Sequence, residues 1–172
     1  MSDLEMSLER QKKAFKLFER YSENPILTWR DWPYPANSVF NPGAVRHNGQ
    51  TILLVRVEDM RGFSHLTVAR SDDGFTDWQI DAEPTLIANH CSEEERWGLE
   101  DPRIVWMEQE EQYAVTYTSF SEGGPVVSLA ITEDFENFTR LGNLLPPEDK
   151  DACLFPRRFG DRFALIHRPI VR

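Results

Sequence analysis

Two short blocks of the sequence place a polar side chain immediately before a proline and a run of β-forming residues. They occupy residues 41–45 and 101–105, 60 residues apart. The amide of Asn41 and the carboxylate of Asp101 can form hydrogen bonds with a polar ligand. Asp101 has an alternative role as a turn aspartate that binds backbone amides before Pro102.

Further polar residues surround these two blocks, at positions that an apolar β core would not favour. The densest segment, residues 96–103, combines a carboxylate pair, two arginines and a tryptophan whose ring suits stacking on a sugar. Within it, Glu100 is either a ligand for a sugar hydroxyl or the ion-pair partner of Arg103. The other polar residues near the blocks are Asn37, Ser38, Arg56, Glu58, Asp59, Arg61, Ser64 and His65.

Short β-strands are the elements that would position these side chains. Runs rich in Val, Ile, Thr, Phe and Tyr, broken by turn pairs such as Asn48-Gly49, predict an antiparallel β body. The predicted strands are 43–46, 51–57, 66–70, 78–80, 103–107, 113–120, 126–131, 153–159 and 163–167. Before them, apolar residues spaced by threes, fours and sevens between Asp3 and Tyr21 predict an amphipathic helix. The predicted domains are an N-terminal helix over 1–24 and a β domain over 25–172.

The β runs repeat as a unit of about four strands. Each block is followed by a hairpin and then by a strand that ends in a polar turn, at residues 71–78 in the first unit and 132–138 in the second. A third unit is expected to open at Phe155-Pro156. Repeated four-strand units of this length are typical of β-propeller blades. In a propeller the inner strands start at the axial mouth, so Asn41 and Asp101 are expected to face a central pocket.

The polar turn at residues 71–78 resembles the aspartate box of sialidase propellers. Its Ser and Asp side chains are expected to bind their own backbone and stabilise the turn, rather than to take part in catalysis. The turn therefore supports the propeller fold and carries no functional assignment.

Composition excludes several classes of protein. The formal net charge is −10, whereas proteins that bind nucleic acids need a basic surface. No apolar run approaches the roughly 20 residues of a membrane-spanning helix, and the first 16 residues do not resemble a signal peptide, so a cytoplasmic location is expected. Cys91 and Cys153 lie in unrelated contexts, which predicts two buried thiols without a disulfide or a metal site.

Four blocks together carry a resemblance to a known family. They are Asn-Ser-Val-Phe-Asn-Pro-Gly-Ala over 37–44, Arg-Val-Glu-Asp-Met-Arg-Gly-Phe-Ser over 56–64, Gly-Leu-Glu-Asp-Pro-Arg over 98–103, and Leu-Phe-Pro over 154–156 with His-Arg-Pro over 167–169. In this order they resemble glycoside hydrolase family 130, the β-mannoside phosphorylases. The resemblance runs from about Pro25 to the last residue.

The resemblance implies a five-bladed propeller that cleaves β-mannosides with inorganic phosphate and releases α-mannose 1-phosphate with inversion. It makes Asp101 the proton donor, with no cofactor or metal beyond the phosphate co-substrate. Lys150 and Arg168 match phosphate-binding positions. Asn41 and Arg56 match sugar-contacting residues, with Asp59 and Arg61 as their neighbours. From the sequence alone, Lys150 is also readable as a solvated loop lysine, and Arg168 as the structural partner of a nearby carboxylate.

The chemistry separates the candidate functions. An inverting hydrolase uses a carboxylate acid and a second carboxylate base, roughly 6.5–9.5 Å apart, to activate water. Phosphate is already anionic and needs no base, so one acid and a group of cations suffice. A phosphorylase is therefore the preferred prediction, with β-1,4-mannosyl-glucose or mannooligosaccharides as its substrates. The alternatives are a β-mannoside hydrolase of the same family and a non-catalytic carbohydrate-binding propeller fragment.

The repeat count affects what this chain is expected to do alone. Two to three blades leave one apolar face and several strand edges uncovered. The 172 residues are therefore expected to show little phosphorolysis by themselves, and to self-associate or depend on further sequence. The N-terminal helix could also pack on a neighbouring subunit in a homo-oligomer.

Overall fold

Runs of β-branched and aromatic residues form strands throughout residues 18–89 and 91–170, which the computed structural model describes. The turn pair Asn48-Gly49 has positive φ angles at both positions, as the tightest hairpins require. The strands are β1 (Ser38–His47), β2 (Gln50–Glu58), β3 (Ser64–Ser71), β4 (Gln79–Ile80), β5 (Gly98–Met107), β6 (Gln112–Ser121), β7 (Gly124–Thr132), β8 (Thr139–Asn143), β9 (Asp149–Leu154) and β10 (Leu165–Pro169). The fold of the described part is therefore all-β, as predicted.

The predicted N-terminal helix falls mostly on residues 1–17, which lie outside the described residues. Its predicted last turn, residues 18–21, is not helical in the structure. The helix within the described ranges is a single 3-10 turn, Trp29–Asp31, capped by Thr28. No helix in these ranges is long and apolar enough to cross a membrane.

Two four-stranded antiparallel units follow one another along the chain. The first is β1-β2-β3-β4 and the second is β5-β6-β7-β8, joined by a single parallel bridge between Ser64 and Gly98. Strands β9 and β10 form a separate antiparallel pair. The repeat predicted from the sequence is thus confirmed for two units. The sequence analysis did not predict β8, because its polar residues and Gly142 are not typical of a strand.

The third unit, represented by the β9-β10 pair, begins earlier in the sequence than predicted. The first strand of this pair is Asp149–Leu154, whereas Phe155 and Pro156 already lie beyond its end. The proline suggested a strand opening by analogy with the first two units. The structural counterpart is instead the segment 150–152, where Asp151 lies 50 residues after Asp101.

The main core lies between the first two units. Residues 52–55 of strand β2 are all apolar because both faces of the strand are covered there: Ile52 and Leu54 face this core, while Leu53 and Val55 face a second cluster. The main core consists of Ile52, Leu54, Leu66, Val68, Leu86, Leu99, Tyr113, Val115, Tyr117, Ala130 and Phe135. The second cluster consists of Trp32, Ala36, Leu53, Val55, Val57 and Ala69. Residues before β1 therefore cover the outer face of the first unit.

The polar turns after β3 and β7 are built alike. The carboxylate of Asp73 accepts the amides of Phe75 and Thr76, and that of Asp134 accepts the amides of Glu136 and Asn137. These hydrogen bonds hold the pKa of both carboxyls well below the ordinary value. The predicted stabilising role of the Ser and Asp side chains at 71–78 is confirmed.

The expectation for the cysteines is wrong. Cys91 is exposed and Cys153 is half-buried, because Cys91 lies in the irregular segment between β4 and β5 and Cys153 in the thinly covered strand β9.

Phe135 offers a test of how the two units hold together. Its ring is fully buried, with its centroid 4.7 Å from that of Tyr113 and 5.5 Å from that of His47 in the first unit. Phe135→Ala is expected to lower the free energy of unfolding by about 3–5 kcal/mol, because it leaves a cavity between the units.

The matched control is Phe75, the aromatic residue of the corresponding turn in the first unit, which is 54% exposed. Phe75→Ala is expected to change the free energy of unfolding by about 0.5 kcal/mol or less. Urea titration followed by tryptophan fluorescence measures both variants. Equal losses in the two would contradict this account of the interface.

Candidate active site

The two polar-proline blocks lie inside strands, not before them as predicted. The register of β1 against β2 shifts between Val39 and Pro42, and that of β5 against β6 shifts between Glu100 and Arg103. Such bulges redirect side chains and accommodate proline in a strand. Asp101 has a left-handed backbone with φ of 49°. The bulge therefore gives Asp101 an orientation that a regular strand would not.

The two bulged strands are held close together by a glycine. A Cβ atom on Gly43 of β1 would lie 2.9 Å from a side-chain carbon of Ile104 and 3.1 Å from the carbonyl oxygen of Pro102, both in β5. A larger residue would separate the strands. The blocks that contain Asn41 and Asp101 are thus neighbours at one end of the two units, and Asn41 itself is exposed.

Arg56 of β2 connects these blocks. Its guanidinium lies 3.2 Å from Oδ1 of Asp101 and 2.8 Å from Oε1 of Glu100, and its Nε donates to Oγ of Ser64 at 3.0 Å. The guanidinium also lies over the ring of Phe40, 4.7 Å from its centroid. The side chains of the Arg56, Glu100 and Asp101 cluster are only 15–18% exposed. A half-closed site of this kind strengthens the electrostatic interactions inside it.

The ion-pair partner of Glu100 is Arg56 and not Arg103. Arg103 instead donates to the carbonyl oxygens of Asp101 and Pro102. Burial raises the pKa of the Glu100 carboxyl above its ordinary value; the positive charge of Arg56 opposes this rise, and the carboxylate of Asp101 reinforces it. Glu100 therefore takes up a proton more readily than a free glutamate does.

The predicted phosphate-binding cations lie on β9 and β10. Lys150 and Arg168 are directly opposite each other across this strand pair, and the charge of Lys150 also acts on Glu100. Arg168 contacts Oδ2 of Asp151 at 2.5 Å, and Oδ1 of Asp151 lies 3.9 Å from Arg103. The ion pair considered for Arg168 thus exists, although 60% of the arginine side chain stays exposed. The structure brings the predicted acid and cations to the same end of the strands.

Asp59 and Arg61 lie in the loop between β2 and β3. The carboxylate of Asp59 accepts the amides of Arg61 and Phe63 at 2.8 and 3.1 Å, and the Nε and NH2 groups of Arg61 at 2.9 and 2.7 Å. Burial raises the pKa of the Asp59 carboxyl, but these hydrogen bonds lower it by more, so the pKa lies below its ordinary value. Asp59 therefore shapes its own loop, and both residues line a cleft beside Ser64.

Asp149, Asp151 and His167 were not among the predicted site residues. Nδ1 of His167 lies 2.6 Å from Oδ2 of Asp149, whose side chain is only 6% exposed, so this contact ties β10 to β9 next to Arg168. Asp151 has φ of 54°, close to that of Asp101. A search for aspartates at a spacing of 50 residues would have found Asp151, and the His-Arg-Pro block already contained His167, whereas nothing local marks Asp149. Across residues 18–89 and 91–170, no group of three or more His, Cys, Asp or Glu side chains is arranged so that it could hold a metal ion.

Comparison of the sequence with known proteins places this chain among carbohydrate-active proteins. The sequence profile of glycoside hydrolase family 130, described as β-1,4-mannooligosaccharide phosphorylase, matches residues 8–171. A β-1,4-mannooligosaccharide phosphorylase of Ruminococcus albus is 30% identical over 87% of the chain and 46% of its own length. A 1,2-β-oligomannan phosphorylase of Thermoanaerobacter is 31% identical, over 87% of the chain and 53% of its own length.

A solved structure agrees with these sequences. The β-1,2-mannobiose phosphorylase of Listeria innocua, in complex with β-1,2-mannobiose, superposes with a TM-score of 0.77 at 25% identity, over 89% of this chain and 58% of that one. The chain thus spans about half the length of the relatives that it matches.

The role of Arg56 can be tested through Glu100. Arg56→Gln removes the positive charge that opposes the effect of burial, so the pKa of the Glu100 carboxyl is expected to rise further. Because a raised pKa disfavours the folded state with an ionised Glu100, the variant should lose more stability at pH 7 than near pH 4. A carbon-13 NMR titration of the Glu100 carboxyl measures the shift.

Arg70→Gln serves as the control, because Arg70 has a similarly buried side chain and pairs with Asp81. It should leave the titration of Glu100 unchanged. An Arg56→Gln variant in which Glu100 titrates as in the unmodified chain would show that this ion pair does not govern the carboxyl.

Proposed function

The chain belongs to glycoside hydrolase family 130, and from this membership we propose that the protein containing it cleaves β-mannosidic bonds with inorganic phosphate to release α-mannose 1-phosphate. The observation that supports the proposal most strongly is the placement of one half-buried carboxylate pair, Glu100 and Asp101, beside the cations of β9 and β10.

We assign the roles as follows. Asp101 supplies the proton for the departing sugar oxygen, through a hydroxyl group of the bound sugar. Phosphate, held by Lys150 and Arg168, forms its bond to the anomeric carbon from the opposite face as the glycosidic bond breaks. Asn41 and Arg56 bind the mannosyl unit that is transferred. The charge of the phosphate makes a general base unnecessary, and the single displacement inverts the anomeric configuration.

The arrangement of the carboxylates favours phosphorolysis over hydrolysis. Glu100 and Asp101 both contact the guanidinium of Arg56, so they lie on the same side of the site. An inverting hydrolase needs its base on the face opposite the acid, with room for water between them. On the side of β9 and β10 the carboxylate of Asp151 is paired with Arg168, and Lys150 and Arg168 together suit an anion.

Substrate linkage and the complete architecture are finer parts of the proposal. The names of the relatives include both β-1,2 and β-1,4 linkages, so mannobioses of both kinds are the substrates to compare. The two four-stranded units and the β9-β10 pair support the five-bladed propeller that the family resemblance implies.

Asp101→Asn tests the proton donor. Asparagine keeps the shape of the side chain and tolerates the left-handed backbone, but it cannot give up a proton. In the protein of full natural length, kcat for phosphorolysis is expected to fall by about 10²–10⁴-fold. Release of mannose 1-phosphate from β-1,2- and β-1,4-mannobiose is the measurement.

The control for this variant is Asp77→Asn, because Asp77 has the same type of backbone, with φ of 50°, in the turn after β3. It should retain full activity. If Asp101→Asn kept most of the rate, the assignment of the proton donor would be wrong.

Arg168→Ala tests the phosphate site. Loss of charge-assisted hydrogen bonds is expected to raise the KM for phosphate by about 10- to 100-fold, with a much smaller effect on the KM for the mannoside. Arg158→Ala is the matched control, because Arg158 also pairs with one carboxylate, that of Glu110. An unchanged KM for phosphate in the Arg168 variant would remove this residue from the site.

A further inference from the structure

The pairing of β9 with β10 is irregular next to the predicted phosphate-binding cations. Two residues of β9, Asp151 and Ala152, lie opposite the single residue His167 of β10, and beyond them Arg168 pairs with Lys150. Two residues against one is the count of a β-bulge. A regular pairing would instead place Arg168 opposite Asp151. Because a shift of one position turns a strand's side chains to the other face, the bulge decides which residue of β9 lies beside Arg168.

The observed register brings two positive charges together. Residues directly opposite each other in an antiparallel pair are close neighbours on one face, and like charges at such positions destabilise the pairing. The contact between Arg168 and Asp151 offsets part of the repulsion between Arg168 and Lys150. The left-handed backbone of Asp151, with φ of 54°, adds a further cost. Other contacts must therefore hold the two strands in the bulged register.

Asp149 and His167 make such a contact. Nδ1 of His167 donates to Oδ2 of Asp149 at 2.6 Å, and the two residues directly precede Arg168 and Lys150 in the sequence. The side chain of Asp149 is only 6% exposed, and its Oδ1 has no hydrogen-bond partner among residues 18–89 and 91–170. A carboxylate so far from water is costly without a partner. Within those ranges His167 is the donor that stabilises it, so a change of register that separated the pair would be opposed.

The bulge itself is attached to the second unit. The hydroxyl of Thr116 in β6 donates to the carbonyl oxygen of Ala152 at 2.7 Å, and both residues are buried. The cation Lys150 lies between this attachment point and Asp149 along β9. Strand β9 is thus fixed on both sides of Lys150, by Thr116 on one side and by His167 on the other.

We propose that Asp149 and His167 are positioning residues for phosphate, because their contact holds β9 and β10 in the register that sets Lys150 opposite Arg168. The inference rests on the proposed function and deepens it, since it adds two residues that act through their neighbours in the sequence. An anion bound between the two cations relieves their mutual repulsion. Loss of the contact should therefore weaken the binding of phosphate and leave the binding of the mannoside nearly unchanged.

His167→Ala and His167→Asn test the proposal in the protein of full natural length. Alanine removes the donor, whereas asparagine places an amide N–H donor at the position of Nδ1. His167→Ala is expected to raise the KM for phosphate by about three- to tenfold, with little change in kcat or in the KM for the mannoside. His167→Asn should restore most of the affinity for phosphate. The measurements are release of mannose 1-phosphate from β-1,2- and β-1,4-mannobiose and calorimetric titration with inorganic phosphate.

His47→Ala is the matched control, because Nδ1 of His47 likewise contacts one polar side chain, the hydroxyl of Tyr113 at 3.2 Å, at the end of β1. It should lower the resistance to urea without changing the KM for phosphate. An unchanged KM for phosphate in His167→Ala would overturn the proposal, and so would equal increases in the KM values for phosphate and the mannoside. If His167→Asn bound phosphate as weakly as His167→Ala, the imidazole ring itself would be needed, and the positioning role would be wrong.

The two measurements separate this proposal from the proposed function. If the unmodified protein bound phosphate but released no mannose 1-phosphate from either mannobiose, the proposed function would be wrong. The calorimetric comparison of His167→Ala with His167→Asn would still decide the role of the pair in that case, because it needs no turnover. Absence of phosphate binding by the unmodified protein would overturn both.

Discussion

The contact of one guanidinium with two carboxylates, Arg56 with Glu100 and Asp101, is the interaction on which the arrangement of the site depends. It joins β2 of the first unit to β5 of the second, where the side chains are mostly hidden from water. Charged side chains that are mostly shielded from water are stabilised by opposite charges, because an unpaired buried charge costs several kcal/mol. Arg56 therefore sets the spacing between the two units at this end, as Phe135 does through apolar contacts at the other.

Local backbone geometry makes this contact possible. Gly43 lets β1 approach β5, and the left-handed conformation at Asp101 turns its carboxylate toward Arg56. Non-glycine residues adopt that conformation at a cost, and such residues occur often at functional sites. Asp151 in β9 has a similar φ, so the β9-β10 pair contains the same left-handed backbone conformation at an aspartate. The second unit and the β9-β10 pair thus share a backbone shape at this position, whereas their sequences share little there beyond the aspartate.

This difference explains which features could be predicted from the sequence. Strands such as β2 and β6 are rich in β-branched or aromatic residues, and the hairpin at Asn48-Gly49 has an unambiguous turn, so both units were predictable. The third unit was misplaced because Phe155-Pro156 resembles the earlier blocks, whereas 150–152 shares only its aspartate with them. The contact between Arg56 and Glu100 joins residues 44 positions apart in two different units, and no local pattern encodes such a pair. The family resemblance predicted Asp101, Lys150 and Arg168 as site residues, but it did not indicate that Asp151 lies between two arginines.

The position of Asp151 constrains how an anion can be held. The chain carries a net charge of −10, so phosphate is repelled at long range and depends on local donors. Asp151 already contacts Arg168 and neutralises part of its charge. A guanidinium has five N–H donors, however, and a monodentate carboxylate contact leaves most of them available on a side chain that is 60% exposed. In the proposed mechanism, Asp151 orients Arg168 while phosphate takes the remaining donors. In that mechanism, selectivity for phosphate arises from the direction of these donors and not from the overall charge of the protein.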